Sequence, residues 1–199
     1  MSSNAPHFSE PTDAEHTALP SGGTREALRL AVRLLDLAEL RQRPPEMAQA
    51  LSQVARCYKA LGAWGPAESY LTQALRWSRM LGSVDMAVEL LCDLAEVQCS
   101  LAEVHDEEEG RSNQAALECA RDQAFEAATL VRQASDAHWE VKVLLRVSDV
   151  LDRCGDHDDA ISLQTRALSL MSAEASGFGD LAMEPGADAL RSPAPVALM

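Results

Sequence analysis

"ARCYKALGAWGPAESYLTQAL", residues 55–75, decides how the rest of the chain is read. Ala55, Tyr58 and Leu61 fall three apart, and Ala67, Leu71 and Ala74 follow at steps of four and three. Such steps keep side chains on one face of a helix. Gly62 interrupts the pattern, and Pro66 sits where an early helical residue tolerates proline. The stretch therefore reads as two helices joined by a tight turn, with small residues where they cross.

The pattern recurs. Residues 148–168, "SDVLDRCGDHDDAISLQTRAL", align with it without gaps. Gly155 meets Gly62, Ala160 meets Ala67, Ala167 meets Ala74 and Leu168 meets Leu75, while Ser148 stands opposite Ala55. Ser69 and Thr72 meet identical residues. The second half of the unit, small-x3-large-x2-Ala, appears at Ala31/Leu35/Ala38, Ala67/Leu71/Ala74 and Ala127/Val131/Ala134. It returns at Ala160/Gln164/Ala167 with a polar residue in the large slot. The intervals are 36, 60 and 33 residues. Two of them are near the length of a helical-hairpin repeat, and the wide one must hold an insertion.

Outward from these units the chain reads as all-α. Residues 1–23 are polar and broken by Pro and Gly, so a disordered tail is expected. Thr24 is the expected cap of a first helix, whose Ala27, Leu28, Ala31, Leu34, Leu35 and Ala38 are expected to form one buried stripe. Pro44 and Pro45 separate it from a second helix over about 46–61. Further helices are expected over about 66–81, 84–104, 113–134, 137–153 and 158–173. Leu81-Gly82-Ser83 closes the third, Ser135 and Asp136 can cap the sixth, and "HDEEEGRSNQ" is a charged turn containing Gly110. Residues 24–173 form the repeat domain, with an extended hairpin around 100–120, and 174–199 form a flexible tail.

Composition limits the function. The 199 residues are 4% aromatic, so the core must be built from Leu, Ala and Val. The net charge of −14 argues against nucleic acid or an anionic membrane as partner. Basic or apolar protein partners remain open, and so does plain solubility. Five cysteines without a CxxC fit a reducing compartment and buried free thiols better than a disulfide framework. Cys92 and Cys99, seven residues apart, are separated by roughly 10 Å along a helix and cannot bond each other. "MSSNAPHFSE" lacks the basic and apolar regions of a secretory leader, and no apolar run approaches a membrane span. The cytoplasm is the expected location. No GxSxG, P-loop, GxGxxG or HExxH occurs, so neither an enzyme, a metal nor a cofactor is expected. His105 with Asp106 and Glu107, and His157 among Asp156, Asp158 and Asp159, are runs of consecutive residues that cannot converge on one ion.

The spacing Ala55-x2-Tyr58-x2-Leu61-Gly62-x4-Ala67-x3-Leu71-x2-Ala74-Leu75 resembles the tetratricopeptide repeat. Residues 74–97, "ALRWSRMLGSVDMAVELLCDLAEV", look like its longer-helix variant. The middle unit departs from the pattern, with Gln98 in place of the aromatic. The resemblance covers roughly residues 25–173. It implies a right-handed solenoid of about three helical hairpins plus a leading helix, each hairpin stabilised by its neighbours. It also implies a concave groove lined by the first helix of each pair. By alignment the groove residues are Ser52, Arg56 and Lys59, then Glu89, Cys92, Glu96 and Cys99, then Leu145, Asp149 and Asp152. That groove is basic at one end and acidic along the rest. The carboxylate clamp of some family members is not reproduced, since Glu96 and Asp149 would repel an anion.

The expected function is an interaction scaffold or adaptor that holds a basic peptide or helical segment in the groove. The alternative is a small acidic client chaperone that keeps a partner soluble. The same charges also read as a plain solvated face. The last helix has no polar capping helix after it. Leu181, Met183 and Leu190 of the tail could fold over it, or a second subunit could cover it in a homodimer.

Overall fold

The computed structural model describes residues 21–105, 110–133 and 136–179. Among these residues there are seven helices and no strand. They are α1 (Ser21–Arg41), α2 (Pro44–Ala60), α3 (Trp64–Met80), α4 (Val84–His105), α5 (Gly110–Val131), α6 (Ala137–Arg153) and α7 (His157–Gly179). None is long and apolar enough to cross a membrane among the described residues.

The punctuation seen in the sequence sets most boundaries. Pro44 and Pro45 open α2, where their missing N–H groups are no loss. Asp136 caps α6, its carboxylate accepting a hydrogen bond from the Trp139 amide at 3.1 Å. Two hairpin turns close in the same way. Gly62 and Gly155 take φ of 69° and 86°, which L side chains adopt only with strain. After α2 the Gly62 amide donates to Lys59 O and the Ala63 amide to Tyr58 O. After α6 the Gly155 amide donates to Asp152 O and the Asp156 amide to Leu151 O. Each pair satisfies the last helical carbonyls in a Schellman closure. The turn after α3 repeats the bonding, through the Gly82 and Ser83 amides.

Three helices differ from expectation at their ends. α5 runs from Gly110 to Val131 rather than over about 113–134, so Gly110 opens a helix instead of sitting in the charged turn. α1 starts at Ser21, so Thr24 lies inside the helix rather than capping it, and Ala27 and Leu34 of its expected buried stripe are exposed. Gly22 and Gly23 occupy the first turn, whose amides lack helical acceptors anyway, so the two residues do not stop the helix. α7 continues to Gly179, beyond the expected end at 173. The remainder of both tails, with Leu181, Met183 and Leu190, and the acidic residues 106–109 lie outside the described residues.

Each helix packs on its neighbours in the chain, and α4 also touches α2 and α6. The alanines of the repeated pattern sit at the crossings. Ala31, Ala38, Ala55, Ala67, Ala74, Ala127, Ala160 and Ala167 are all buried. Their small side chains let helix axes approach closely, while Leu71, Val131 and Leu151 fill the space between. Tyr58 stacks on Tyr70 across the α2–α3 pair with ring centroids 5.5 Å apart. Because α4 is enclosed by α2, α3, α5 and α6, it buries residues on most of its circumference, including the charged Asp93.

Candidate partner-binding face

Asp93 is only 4% exposed, and a lone carboxylate buried that far would be strongly destabilised. It is instead the centre of a six-charge network joining three helices. From α2, Arg56 Nε donates to Asp93 at 3.1 Å and Lys59 Nζ donates to it at 2.9 Å. From α6, Arg146 Nη2 donates to Asp93 at 2.8 Å. The same guanidinium reaches Glu96 through Nε at 2.8 Å and Glu89 through Nη1 at 3.1 Å. Lys59 also pairs with Glu96. Trp139, on the first turn of α6, donates its indole N–H to Glu89 at 3.1 Å. Glu89, Asp93 and Glu96 can converge because steps of four and three place them on one side of α4.

The electrostatics match the geometry. Burial pushes the Asp93 carboxyl up, but Lys59, Arg146 and Arg56 outweigh it and hold it below the usual aspartate range. Burial pulls Arg146 down, yet its hydrogen bond to Glu96 and the surrounding carboxylates raise it above its ordinary value. Three acids meet three bases. The cluster is a clamp, because its charged hydrogen bonds tie α2, α4 and α6 together.

Beside the clamp, α2, α4 and α6 enclose a shallow depression of about 280 Å³. Gln49, Ser52, Gln53 and Arg56 line one side, Asp85, Met86 and Glu89 another, and Trp139 a third. Farther along α6, Leu145, Asp149 and Asp152 are exposed. Asp152 meets His157 Nδ1 at 2.6 Å. No group of three or more His, Cys, Asp or Glu residues is placed to hold a metal among the described residues.

The expected groove residues divide accordingly. Arg56, Lys59, Glu89 and Glu96 come together, but they neutralise one another instead of forming a basic end and an acidic remainder. Leu145, Asp149 and Asp152 are open to a ligand. Cys92 and Cys99 are buried, which corrects their assignment to an open groove, whereas Ser52, though largely covered, still edges the depression. The reason is the direct packing of α4 against α2 and α6, which covers those sides of the helices. Cys92 lies so deep that burial pushes its thiol up to about 12. Asp93, Trp139 and Arg146 were not anticipated. The acidic spacing 89, 93, 96 carried a signal for Asp93. Arg146 is one residue past Leu145, and one helical step of about 100° turns it from solvent toward α4. Gln98, standing in the aromatic slot, reaches Glu68 on α3 at 3.4 Å.

Comparison with known proteins does not assign a family. No family model matches the sequence, and no curated protein matches it. Among solved structures, a chain of the DHF58 filament is 21% identical, with 80% of this chain and 84% of that one covered at a TM-score of 0.44. BtubC (BKLC) from P. vanneervenii is 14% identical, with 90% and 97% covered at a TM-score of 0.28. Likenesses this distant carry no argument about function.

Proposed function

We propose that the chain is a non-catalytic docking scaffold of the tetratricopeptide-repeat kind, whose α2–α4–α6 face receives a segment of a partner protein. The observation that carries the reading is the clamp centred on Asp93. It holds the first helices of three successive hairpins side by side, so the face exists before any ligand arrives. Preorganisation of this sort reduces the entropy lost on binding. In this reading α3, α5 and α7 form the outer layer of a short solenoid.

The partner segment is basic with one apolar anchor. The anchor enters the depression against Met86 and Trp139, and the basic side chains meet Asp85, Asp149 and Asp152. Glu96 is not part of the ligand contact, since Lys59 and Arg146 already occupy its oxygens. The excess of acidic residues over the whole chain adds attraction at long range.

Photoreactive side chains test this directly. One is placed at Gln53, beside the depression, and another at Arg76, on the exposed side of α3. A partner joined at Gln53 and not at Arg76 supports the docking face. Equal capture at both positions, or capture at Arg76 alone, overturns it. For a partner found this way, Asp149→Lys with Asp152→Lys should weaken binding about tenfold, mainly through slower association.

One observation favours the client-chaperone reading as a second possibility. Leu30, Leu34, Leu37 and Leu40 form an exposed apolar strip along α1. An unfolded client segment would cover such a strip. Under this reading, Leu34→Ser with Leu37→Ser removes the ability to keep a client soluble while leaving crosslinking at Gln53 intact.

A further inference from the structure

Cys99 and Cys154 are 55 residues apart in the chain, yet their sulfurs stand 3.8 Å from each other. Cys99 is fully buried on α4. Cys154 is half-buried and forms the C-cap of α6, directly before the left-handed Gly155. A disulfide requires the sulfurs to close to about 2.05 Å, and the end of a helix is where the backbone yields most easily. The contact joins two of the three helices that form the Asp93 clamp, at the opposite end of their shared surface from Trp139.

We propose that Cys99 and Cys154 are the site of a reversible intramolecular disulfide, formed when the protein meets a hydroperoxide, that fastens α4 to the end of α6. The inference does not depend on the docking role.

The surroundings assign the two sulfurs different parts. The hydrogen bond from Cys99 holds the Cys154 thiol below the usual range, helped by the charges of Arg121 and Arg153 and opposed by burial and Asp156. The same hydrogen bond, with burial, pushes Cys99 well above it. Arg121 is fixed in place by its pair with Asp156, and Arg153 by Glu103 at 2.8 Å. Cys154 is therefore the attacking sulfur, since the thiolate is the nucleophile. Its thiolate attacks one peroxide oxygen, the S–O bond forms, and the O–O bond breaks. The departing oxygen takes up a proton and leaves as alcohol, or as water from hydrogen peroxide. The Cys99 sulfur then attacks the sulfenic sulfur. The S–S bond forms, the S–O bond breaks, and hydroxide leaves as water with the Cys99 proton. Two thiols have lost two electrons and two protons, and the peroxide has gained them.

Two of the three remaining cysteines supply internal controls. Cys92 is buried under the clamp, and Cys119 is exposed on α5, where it can cross-link two molecules. The experiment uses the full chain carrying Cys119→Ser, reduced and then treated with stoichiometric hydrogen peroxide. Peptide mapping without reductant is expected to show one Cys99–Cys154 link that dithiothreitol reverses. The oxidised form is expected to melt about 10 °C above the reduced form, because the link closes a long loop of the unfolded chain. Adding Cys99→Ser should leave a sulfenic acid on Cys154, trapped by dimedone, and abolish the melting shift. The proposal is overturned if Cys154 proceeds to sulfinic acid while Cys99 stays reduced, if the link joins other cysteines, or if the shift persists in the Cys99→Ser protein. Circular dichroism of the reduced proteins confirms that each variant has folded before oxidant is added.

Discussion

The α2–α3 pair and the α6–α7 pair begin from nearly the same pattern and end in different environments. Their turns close on glycines with the same hydrogen bonds, and their crossing alanines are equally buried. Thr72 and Thr165 even return the same bond, each hydroxyl donating to the carbonyl four residues earlier. The outer sides diverge. Leu75 is 6% exposed, whereas its counterpart Leu168 is 61% exposed. Leu71 is fully buried, whereas its counterpart is the exposed Gln164. α3 is covered by α4, but among the described residues α7 rests on α6 alone. Burial inside the pair is thus set by the pair itself, and burial outside it by whatever comes next. Gln164 is polar where Leu71 is apolar, while Ile161, Leu168 and Met171 are exposed among the described residues.

Substitutions at matched positions probe that contrast. Leu71→Ala should destabilise the protein by about 3 kcal/mol through an unfilled cavity, whereas Gln164→Ala should change stability by less than about 0.5 kcal/mol. Urea unfolding of the two variants measures both, and similar losses would show that α7 is covered after all. Asp93→Asn ranks next, at about 2–3 kcal/mol near neutral pH, because it leaves the facing cations short of a partner. Asp93 is held below the ordinary aspartate value in the fold. Its contribution is therefore fully present above about pH 4 and is lost as pH falls through the lowered native value. Unfolding curves from pH 7 to pH 2 should show a shallower acid limb for Asp93→Asn than for the parent. Gly62→Ala and Gly155→Ala test what the pairs share. Each should lower stability by about 1 kcal/mol, through backbone strain alone, since a Cβ at either glycine meets nothing within 4 Å. Unequal losses there would break the equivalence of the two turns. The smallest effect is expected from Leu168→Gln, within about 0.5 kcal/mol, with a gain in solubility as its visible result. A large loss of stability on this change would place Leu168 under a covering segment.

Much of the helical framework was legible because its determinants are local. Gly62, Gly155, Pro44 and Asp136 act within one turn of themselves, and alanines at steps of three and four mark a crossing wherever it occurs. The clamp and the thiol pair were hidden because both depend on how α6 leans on α4. Arg146 reads as an isolated cation among Val and Leu until that contact exists. Cys99 invited comparison with Cys92 on its own helix, whereas its neighbour in space is Cys154. The start of α1 was misread for a different reason. Glycines suggest a break, but at the first turn they remove no helical hydrogen bond.

The sequential packing has a further consequence for how the molecule fluctuates. Among the described residues α1 is held by α2 alone and α7 by α6 alone, while α4 is gripped by four helices. Backbone amides should therefore exchange with solvent in a gradient, fastest in the two outermost helices and slowest in α4. For the same reason the molecule is extensible: another helical pair laid on α7 would cover Leu168 and Ile161 without moving anything already packed.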